Sequence, residues 1–222
     1  MYEDRYPDES DARRTHSTQG YSISKNVSDD FFAQAAEESG RWDSITLCPA
    51  DNVGPIQSKH QKNMGPWQHN IEMMLDPDST KLGGYPQNGA YRPWMTVDVR
   101  DDAACHVALL ESVDIKTGER YIAWSTDTPW VEDVCASIDR VLPEINHYGG
   151  TLIEDDRTGH PDKIKPRKEE FRAIWSQCTL RNDRMQNVTG LTFRPFDESL
   201  RDCVESLIAV GDVKVKTKGS KL

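Results

Sequence analysis

The feature that most constrains the fold is a helical pattern followed, after a glycine, by a short apolar run. Across residues 21–39 the apolar side chains recur at helical spacing, and the rows consist of Val27, Phe31 and Ala35 and of Phe32 and Ala36. Gly40 is a natural helix stop. Residues 43–49 then suit a buried parallel strand, and residues 49–55 suit a loop at its carboxyl end. This order predicts an α/β fold, in which ligands bind at the carboxyl ends of strands.

Tyr21 and Lys25 lie four residues apart in the run YSISK, at the start of the predicted helix. On an α-helix this spacing places both side chains on one face. A phenol is a weak acid at neutral pH, but a neighbouring ammonium favours the phenolate form. The pair can therefore act as a proton donor or acceptor. The spacing alone is also compatible with an ordinary amphipathic helix, since it occurs by chance in many chains.

Three further blocks follow this helix in order: CPADNVGP at residues 48–55, TVDVRDDAACHV at residues 96–107 and GERYIA at residues 118–123. With YSISK they resemble the extended short-chain dehydrogenase/reductase family, within the NAD-dependent epimerase/dehydratase superfamily. The typical pattern there is YxxSK, a helix, a strand ending in NPGxVxGP, a VDVRDVAxAHV segment and a GRYI strand. The order and spacing are most similar to the dihydroflavonol-reductase and cinnamoyl-CoA-reductase branch, and the resemblance covers residues 8–211.

The resemblance implies an NAD(P)H-dependent reduction of a carbonyl to an alcohol, or its reverse, on a small-molecule substrate. Tyr21 would protonate the carbonyl oxygen while the nicotinamide delivers hydride to the carbonyl carbon. Lys25 would favour the ionised phenol and hold the nicotinamide ribose. The cofactor would be NADP or NAD, with NADP favoured. The residues that match the family's nicotinamide-contacting loop are Pro49, Ala50, Asp51 and Asn52, of which the last two are more polar than usual.

The glycine-rich turn GxGxxG, which family members carry near their start, does not occur in this sequence. That turn lets a backbone and a helix N-terminus approach the dinucleotide pyrophosphate. We therefore expect a single truncated reductase-like region: the C-terminal portion of a Rossmann-type doubly wound sheet plus a small α/β substrate domain, with the N-terminal nucleotide-binding half missing. Such a fragment would be inactive alone, and the missing half would be a partner.

The expected organisation has four parts. Residues 1–20 form a loop, and residues 21–55 hold the catalytic helix, the strand and the nicotinamide loop. Residues 56–211 are mostly substrate domain, with one core strand returning near residues 119–124. Residues 212–222 form a basic tail.

Two alternatives to the reductase stay open. A sugar-nucleotide epimerase or dehydratase would share the superfamily, but it would keep its cofactor bound and need no external NAD(P)H. A non-catalytic remnant or binding fragment would have kept the fold and lost the cofactor site, as the missing glycine turn suggests.

The composition and the last three residues indicate which kinds of partner and which cellular compartment suit this chain. The net charge of −10 and the pI near 5.1 argue against nucleic-acid and anionic-membrane binding. Five scattered cysteines without a CxxC pair favour reduced thiols in a cytoplasmic protein and support neither disulfides nor a zinc site. The chain ends in Ser220, Lys221 and Leu222, which at a free carboxyl end is a peroxisomal address. In a eukaryote, an import receptor would then be a partner.

The remaining helices are expected to be packing elements. Asp98, Asp101 and Asp102 lie where carboxylates cap a helix and complement its dipole, so we expect no metal there despite the nearby His106. The core stripe of that helix is predicted to be Ala103, Val107 and Leu110. Further on, Thr128 and Pro129 predict a helix start. A last helix is expected from a cap near Asp197 to Gly211.

Overall fold

The structure is a computed structural model that describes residues 17–58, 60, 66–75, 93–147, 172–211, 213, 215 and 218. Its helices and strands alternate along the chain, as the sequence predicts for an α/β fold. In order they are α1 (Ser17–Ser39), β1 (Thr46–Pro49), β2 (Asp51–Val53), α2 (Pro66–Leu75), β3 (Thr96–Asp98), α3 (Val99–Glu111), β4 (Arg120–Ala123), α4 (Val131–Val141), α5 (Asp183–Thr189) and α6 (Phe196–Val210).

The described strands form two parallel pairs. β1 pairs with β4 so that Thr46 lies opposite Arg120 and Pro49 lies opposite Ala123. β2 pairs with β3, from Asp51 opposite Thr96 onwards. The parallel β1–β4 pair agrees with the prediction of a core strand near residues 119–124 that returns to the strand ending at Pro49.

The predicted loop over residues 49–55 is wrong in its middle, because residues 51–53 form β2. The backbone N–H of Ala50 donates to Ala123 O over 2.9 Å, and the next N–H, that of Asp51, donates to Met95 O over 3.1 Å. The chain therefore stays extended while it passes from one parallel partner to the other. β1 itself is half-buried rather than buried.

The described residues form two core clusters. The larger joins α2, α4 and α6 to β2, and its fully buried members include Val53, Ile71, Met74, Leu75, Val134, Ile138, Leu200 and Leu207. The smaller joins β3, β4, α3 and α5, and it includes Val97, Cys105, Leu109, Tyr121, Ala123 and Met185. Both clusters end at the β2–β3 pair, which therefore connects the two parts of the fold.

The buried face of α3 differs from the predicted one. Val107 and Leu110 are 54% and 85% exposed, whereas Cys105 and Leu109 are buried at 0% and 4%. The helix turns Asp101 inward as well, because its carboxylate pairs with Arg194. A buried carboxylate with a fixed partner thus sets the rotation of the helix, which apolar spacing alone does not reveal.

Helix ends follow the sequence closely, with two shifts. Gly40 and Gly211 end α1 and α6 in the left-handed region, at φ values of 60° and 81°. α1 begins at Ser17, a turn before the predicted start, so the YSISK run lies inside the helix. α4 begins after Trp130 rather than at Thr128, because the Asp133 carboxylate accepts from the Trp130 N–H.

The apolar rows of α1 are mostly exposed in the described part of the chain. Phe31 is 64% exposed, Phe32 53% and Val27 49%, whereas Ala36 is buried at 1%. Among the described residues, the apolar rows of this helix are therefore fully buried only near its C-terminal end, at Ala36.

Candidate functional site

A cavity of about 550 Å³ opens at the carboxyl ends of β1 and β4. The described residues that line it are mainly apolar: Cys48, Pro49, Ala50, Asp51, Met95, Ile122, Trp124, Thr179, Leu180 and Arg181. The parallel pairing creates this position, because it brings Pro49 and Ala123 to the same end of the strand pair. In open α/β folds this is the edge at which ligands bind.

The walls of the cavity are tied together by buried hydrogen bonds. Asn182 Nδ2 donates to Trp124 O, which fastens the segment around Leu180 to the end of β4. The Trp124 indole donates to Asp127 O over 3.0 Å, so the ring has a fixed orientation. Hydrogen bonds thus connect the irregular segment around Leu180 to the strand end that forms the other side of the cavity.

Three of the four residues predicted to touch a nicotinamide line this cavity. Pro49 ends β1, and Ala50 and Asp51 lead into β2. Asp51 Oδ2 accepts a hydrogen bond of 3.1 Å from Trp94 Nε1. Asn52, the fourth, lies on β2 opposite Val97 and is not among the described residues that line the cavity.

The structure brings Tyr21 and Lys25 together on one face of α1. Lys25 Nζ lies 5.4 Å from the centroid of the Tyr21 ring, a cation–π distance. Tyr21 is 65% exposed. Neither residue is among the described residues that line the cavity.

Helix α1 runs antiparallel to β4. Asp29 Oδ2 lies 3.3 Å from Arg120 Nη2, at the first residue of the strand. Four residues later in the helix, Ala33 Cβ lies 3.9 Å from the point that a Cβ of Gly118 would occupy, two residues before Arg120. Since the helix number rises as the strand number falls, the N-terminal turns of α1 extend towards the carboxyl end of β4.

Charged residues near the cavity are paired. Arg181 on the cavity wall makes a two-pronged ion pair with Asp183, at 2.7 and 2.8 Å. The hydrogen bond with Asp183 raises the pKa of Arg181 above its usual range. A hydrogen bond to Cys48 Sγ, at 3.4 Å, contributes most to raising the pKa of Arg120. The site is thus an apolar cavity with neutralised charge at its edge.

The carboxylates at the start of α3 contact side chains of the protein itself. Asp98 caps the helix by accepting from the Arg100 N–H over 2.8 Å and also pairs with the Arg100 guanidinium. Asp102 Oδ1 lies 3.6 Å from His106 Nδ1, and the Asp102 backbone carbonyl oxygen lies 2.9 Å from the same nitrogen. Within the described ranges no group of three or more His, Cys, Asp or Glu residues could hold a metal ion.

Sequence reasoning missed seven residues of the cavity: Cys48, Met95, Ile122, Trp124, Thr179, Leu180 and Arg181. Cys48, Ile122 and Trp124 belong to the ends of predicted strands, so the rule that ligands bind at carboxyl ends of strands could have found them. The other residues come from segments that the tertiary fold brings to this edge. The predicted targeting residues Ser220, Lys221 and Leu222 lie outside the described residues, and their role stays a prediction.

In the part of the chain that the structure covers, no helix combines the length and the apolar character needed to cross a membrane. No protein-family model matches the sequence, and no curated protein matches it.

Several solved structures have a similar fold. A protein named SsCR matches 91% of this chain at 18% identity and a TM-score of 0.61, and the match covers 55% of that protein's chain. Gre2 from Candida albicans, in complex with NADPH, matches 92% of this chain at 17% identity and a TM-score of 0.58, over 56% of its own length. UDP-glucose 4-epimerase from Bifidobacterium longum, in complex with NAD⁺ and UDP, matches 85% at 15% identity and a TM-score of 0.53, over 54% of its length.

These matches confirm the fold that the sequence blocks predicted. The chain spans about half the length of the structures it matches. At these identities the likeness concerns the fold, so activity has to be argued from the residues of this chain.

Proposed function

From the fold of the extended short-chain dehydrogenase/reductase superfamily, which this chain shares, we propose that it supplies the nicotinamide end of an NAD(P)H-dependent carbonyl/alcohol oxidoreductase. Tyr21 exchanges a proton with the substrate oxygen, and Lys25 stabilises the phenolate that results. Pro49, Ala50 and Asp51 form one wall of the site for the nicotinamide. The cofactor, when bound, supplies hydride to the carbonyl carbon.

The antiparallel course of α1 beside β4 is the observation that carries this proposal. Tyr21 precedes Asp29 by eight residues, about 12 Å of helix. Ala123 follows Arg120 by three residues, about 10 Å of strand. Because Asp29 and Arg120 are in contact, these two lengths would bring the first turns of α1 level with the carboxyl end of β4, the end at which the cavity opens.

The cavity fits the nicotinamide end of the cofactor. Its volume of about 550 Å³ lies within the usual range for small-molecule sites, which are largely apolar with a few polar groups. Apolar walls such as Ile122 and Trp124 suit a flat, weakly polar ring and a carbonyl substrate, and they exclude water from the hydride path. Arg181 and Asp183 neutralise each other, so this pair adds no net charge to the cavity wall.

The residues of the chain then have separate chemical duties. The phenol of Tyr21 gives its proton to the oxygen that becomes the alcohol as the carbonyl carbon accepts hydride. The Lys25 ammonium, which lies 5.4 Å from the centroid of the Tyr21 ring on the same helix face, would offset the negative charge left behind. In the alcohol-oxidising direction the same phenolate removes the hydroxyl proton.

Reduced nicotinamide mononucleotide provides a direct test, because it carries the nicotinamide and ribose without the adenosine half. The purified chain would be incubated with this donor and a panel of aldehydes and ketones, and loss of absorbance at the nicotinamide band would report turnover. The expected inactivity of the chain concerns the full dinucleotide. With the mononucleotide we therefore expect turnover of uncharged carbonyl compounds, and NADPH should give little advantage over it. Failure of the chain to reduce any carbonyl compound with either donor would refute the proposal.

A further inference from the structure

We infer that Arg120 is a positioning residue for Tyr21 and Lys25, an inference that rests on the proposed function. Its side chain joins the helix that carries the pair to the two strands whose carboxyl ends form the cavity. Its role is to fix where the phenol stands relative to the cavity, and it does not touch the reacting atoms.

Arg120 contacts three elements at once. It is the first residue of β4. Its Nη2 lies 3.3 Å from Asp29 Oδ2 on α1 and 3.4 Å from Cys48 Sγ on β1, a residue that lines the cavity. Its own carbonyl accepts a hydrogen bond of 2.9 Å from Arg184 Nη1. A planar guanidinium with several donors suits such a junction, whereas a lysine offers one compact charge.

Asp29 lies on the same face of α1 as the proposed catalytic pair. Tyr21, Lys25 and Asp29 are separated by four residues each, the spacing that aligns side chains along a helix. Whatever fixes Asp29 therefore fixes the rotation of the face that carries the phenol and the amine. The negative charge of Asp30 also attracts Arg120.

The Arg120–Asp29 ion pair is an important anchor of α1, because the apolar rows of the helix add little anchoring in the described part of the chain. Phe31 and Phe32 are more than half exposed. Ala33 approaches Gly118, which precedes β4, but two such small residues resist rotation of the helix poorly. Arg120 is itself 43% exposed, so losing the pair should leave global stability nearly unchanged while loosening the helix.

A set of variants on the full chain tests this inference. Arg120→Gln and Asp29→Asn remove one charge each, the double variant measures their coupling, and Arg120→Lys keeps the charge. Arg140→Gln is the matched control, because it breaks the arginine–aspartate pair with Asp197, which joins α4 to α6 away from the cavity. Each variant is assayed for carbonyl reduction with reduced nicotinamide mononucleotide and for amide hydrogen exchange.

Misplacing a catalytic group by about 1 Å can cost up to about 100-fold in rate, so we expect Arg120→Gln to lower kcat about tenfold. KM should stay within about twofold, since uniform binding contacts remain. Asp29→Asn should lower kcat to a similar extent. The double variant should be no slower than either single variant, since both remove the same ion pair. Arg120→Lys should recover part of the lost kcat. In Arg120→Gln, amide exchange should accelerate across residues 17–28 and stay unchanged in α6. Arg140→Gln should change neither kcat nor the exchange across residues 17–28.

The outcomes separate this inference from the proposed function. If the unmodified chain reduces carbonyl compounds and Arg120→Gln is as fast, the positioning role is wrong and the reductase stands. If kcat falls but exchange across residues 17–28 is unchanged, Arg120 acts by some other route and the inference is again overturned. If the unmodified chain reduces nothing, both are refuted together.

Discussion

Asp101 and Arg194 join the first turn of α3 to the segment that leads into α6. The backbone N–H of Arg194 donates to Asp101 Oδ2 over 2.7 Å, and its guanidinium pairs with the other carboxylate oxygen. Asp101 is only 6% exposed. One buried carboxylate therefore satisfies both a backbone donor and a charged side chain, and it couples the two helices.

Removing this carboxylate should destabilise the fold. Asp101→Ala leaves the Arg194 N–H without its acceptor, and an unsatisfied buried donor costs about 1–3 kcal/mol. The measurement is urea unfolding followed by far-ultraviolet circular dichroism. Asp183→Ala is the control, because its pair with Arg181 is exposed, and we expect a clearly smaller shift of the midpoint. Equal shifts for both variants would contradict the account.

The pH dependence of stability should report on Asp98. Burial raises the pKa of Asp98, but hydrogen bonds from Arg100 and Ser199 outweigh it and hold that pKa below the ordinary value. A lowered folded-state pKa adds stability above the unfolded pKa of about 3.9, and this contribution disappears as the pH falls through the folded pKa. We therefore expect Asp98→Asn to lose less stability than the unmodified chain between pH 5 and about pH 3.

The pKa of Asp101 is shifted in the opposite direction from that of Asp98, so Asp101 supplies the control. Burial raises the pKa of Asp101 despite its partner Arg194. A raised folded-state pKa means that stability falls as the pH rises from the unfolded value to the folded one. Asp101→Asn should therefore make the acid-side loss steeper, the reverse of Asp98→Asn. Chemical unfolding at a series of pH values gives the slope of stability against pH for each variant. If both variants changed this slope in the same direction relative to the unmodified chain, the assignments would be wrong.

Neighbouring leucines on α3 test the observed rotation of that helix. Leu109 is 4% exposed and packs in the smaller core cluster, whereas Leu110 is 85% exposed. Leu109→Ala should cost about 2–4 kcal/mol, since it leaves a cavity in packed surroundings. Leu110→Ala should change stability by less than about 0.5 kcal/mol. Thermal unfolding of the two variants decides whether the buried face of α3 contains Leu109, as observed, or is the predicted stripe of Ala103, Val107 and Leu110.

Filling the cavity should block ligand binding without harming the fold. Ile122 lines the cavity on β4 and is 54% exposed, so a tryptophan there can extend into the cavity without overpacking the core. We expect Ile122→Trp to weaken binding of reduced nicotinamide mononucleotide at least about tenfold, since steric exclusion removes the wall contacts. Val113→Trp, at a site that is 93% exposed, is the control and should bind normally. Isothermal titration calorimetry measures both, and normal binding by Ile122→Trp would place the ligand elsewhere.

The sequence predicted the elements well where local chemistry decides them. The glycines that end α1 and α6, the parallel strand at residues 46–49 and the returning strand at residues 120–123 all follow local patterns. The rotation of α3 and the strand at residues 51–53 depend on partners far along the chain, Arg194 and residues 95–98, so spacing alone could not reveal them.

The candidate site likewise has residues that the local sequence predicts and residues that only the tertiary fold brings to it. Tyr21 and Lys25 are a local pair, and their predicted juxtaposition is present at 5.4 Å. Pro49, Ala50 and Asp51 were predicted from the loop that resembles the family's, and they line the cavity. Leu180 and Arg181 belong to a distant segment that the hydrogen bond between Asn182 and Trp124 joins to the end of β4. The predicted roles of Tyr21, Lys25 and Asn52 in catalysis and cofactor binding stay predictions.

The central claim is that the Tyr21 phenol donates the proton in a hydride-transfer reaction at the nicotinamide end. The most direct measurement compares carbonyl reduction by the unmodified chain and by Tyr21→Phe, using reduced nicotinamide mononucleotide as donor. Tyr121→Phe is the matched control, because its hydroxyl bonds Glu119 away from the cavity. The account predicts that Tyr21→Phe loses at least about 100-fold in kcat, the lower end of the range for general acids, while donor affinity is retained. Turnover by Tyr21→Phe at the rate of the unmodified chain would contradict it.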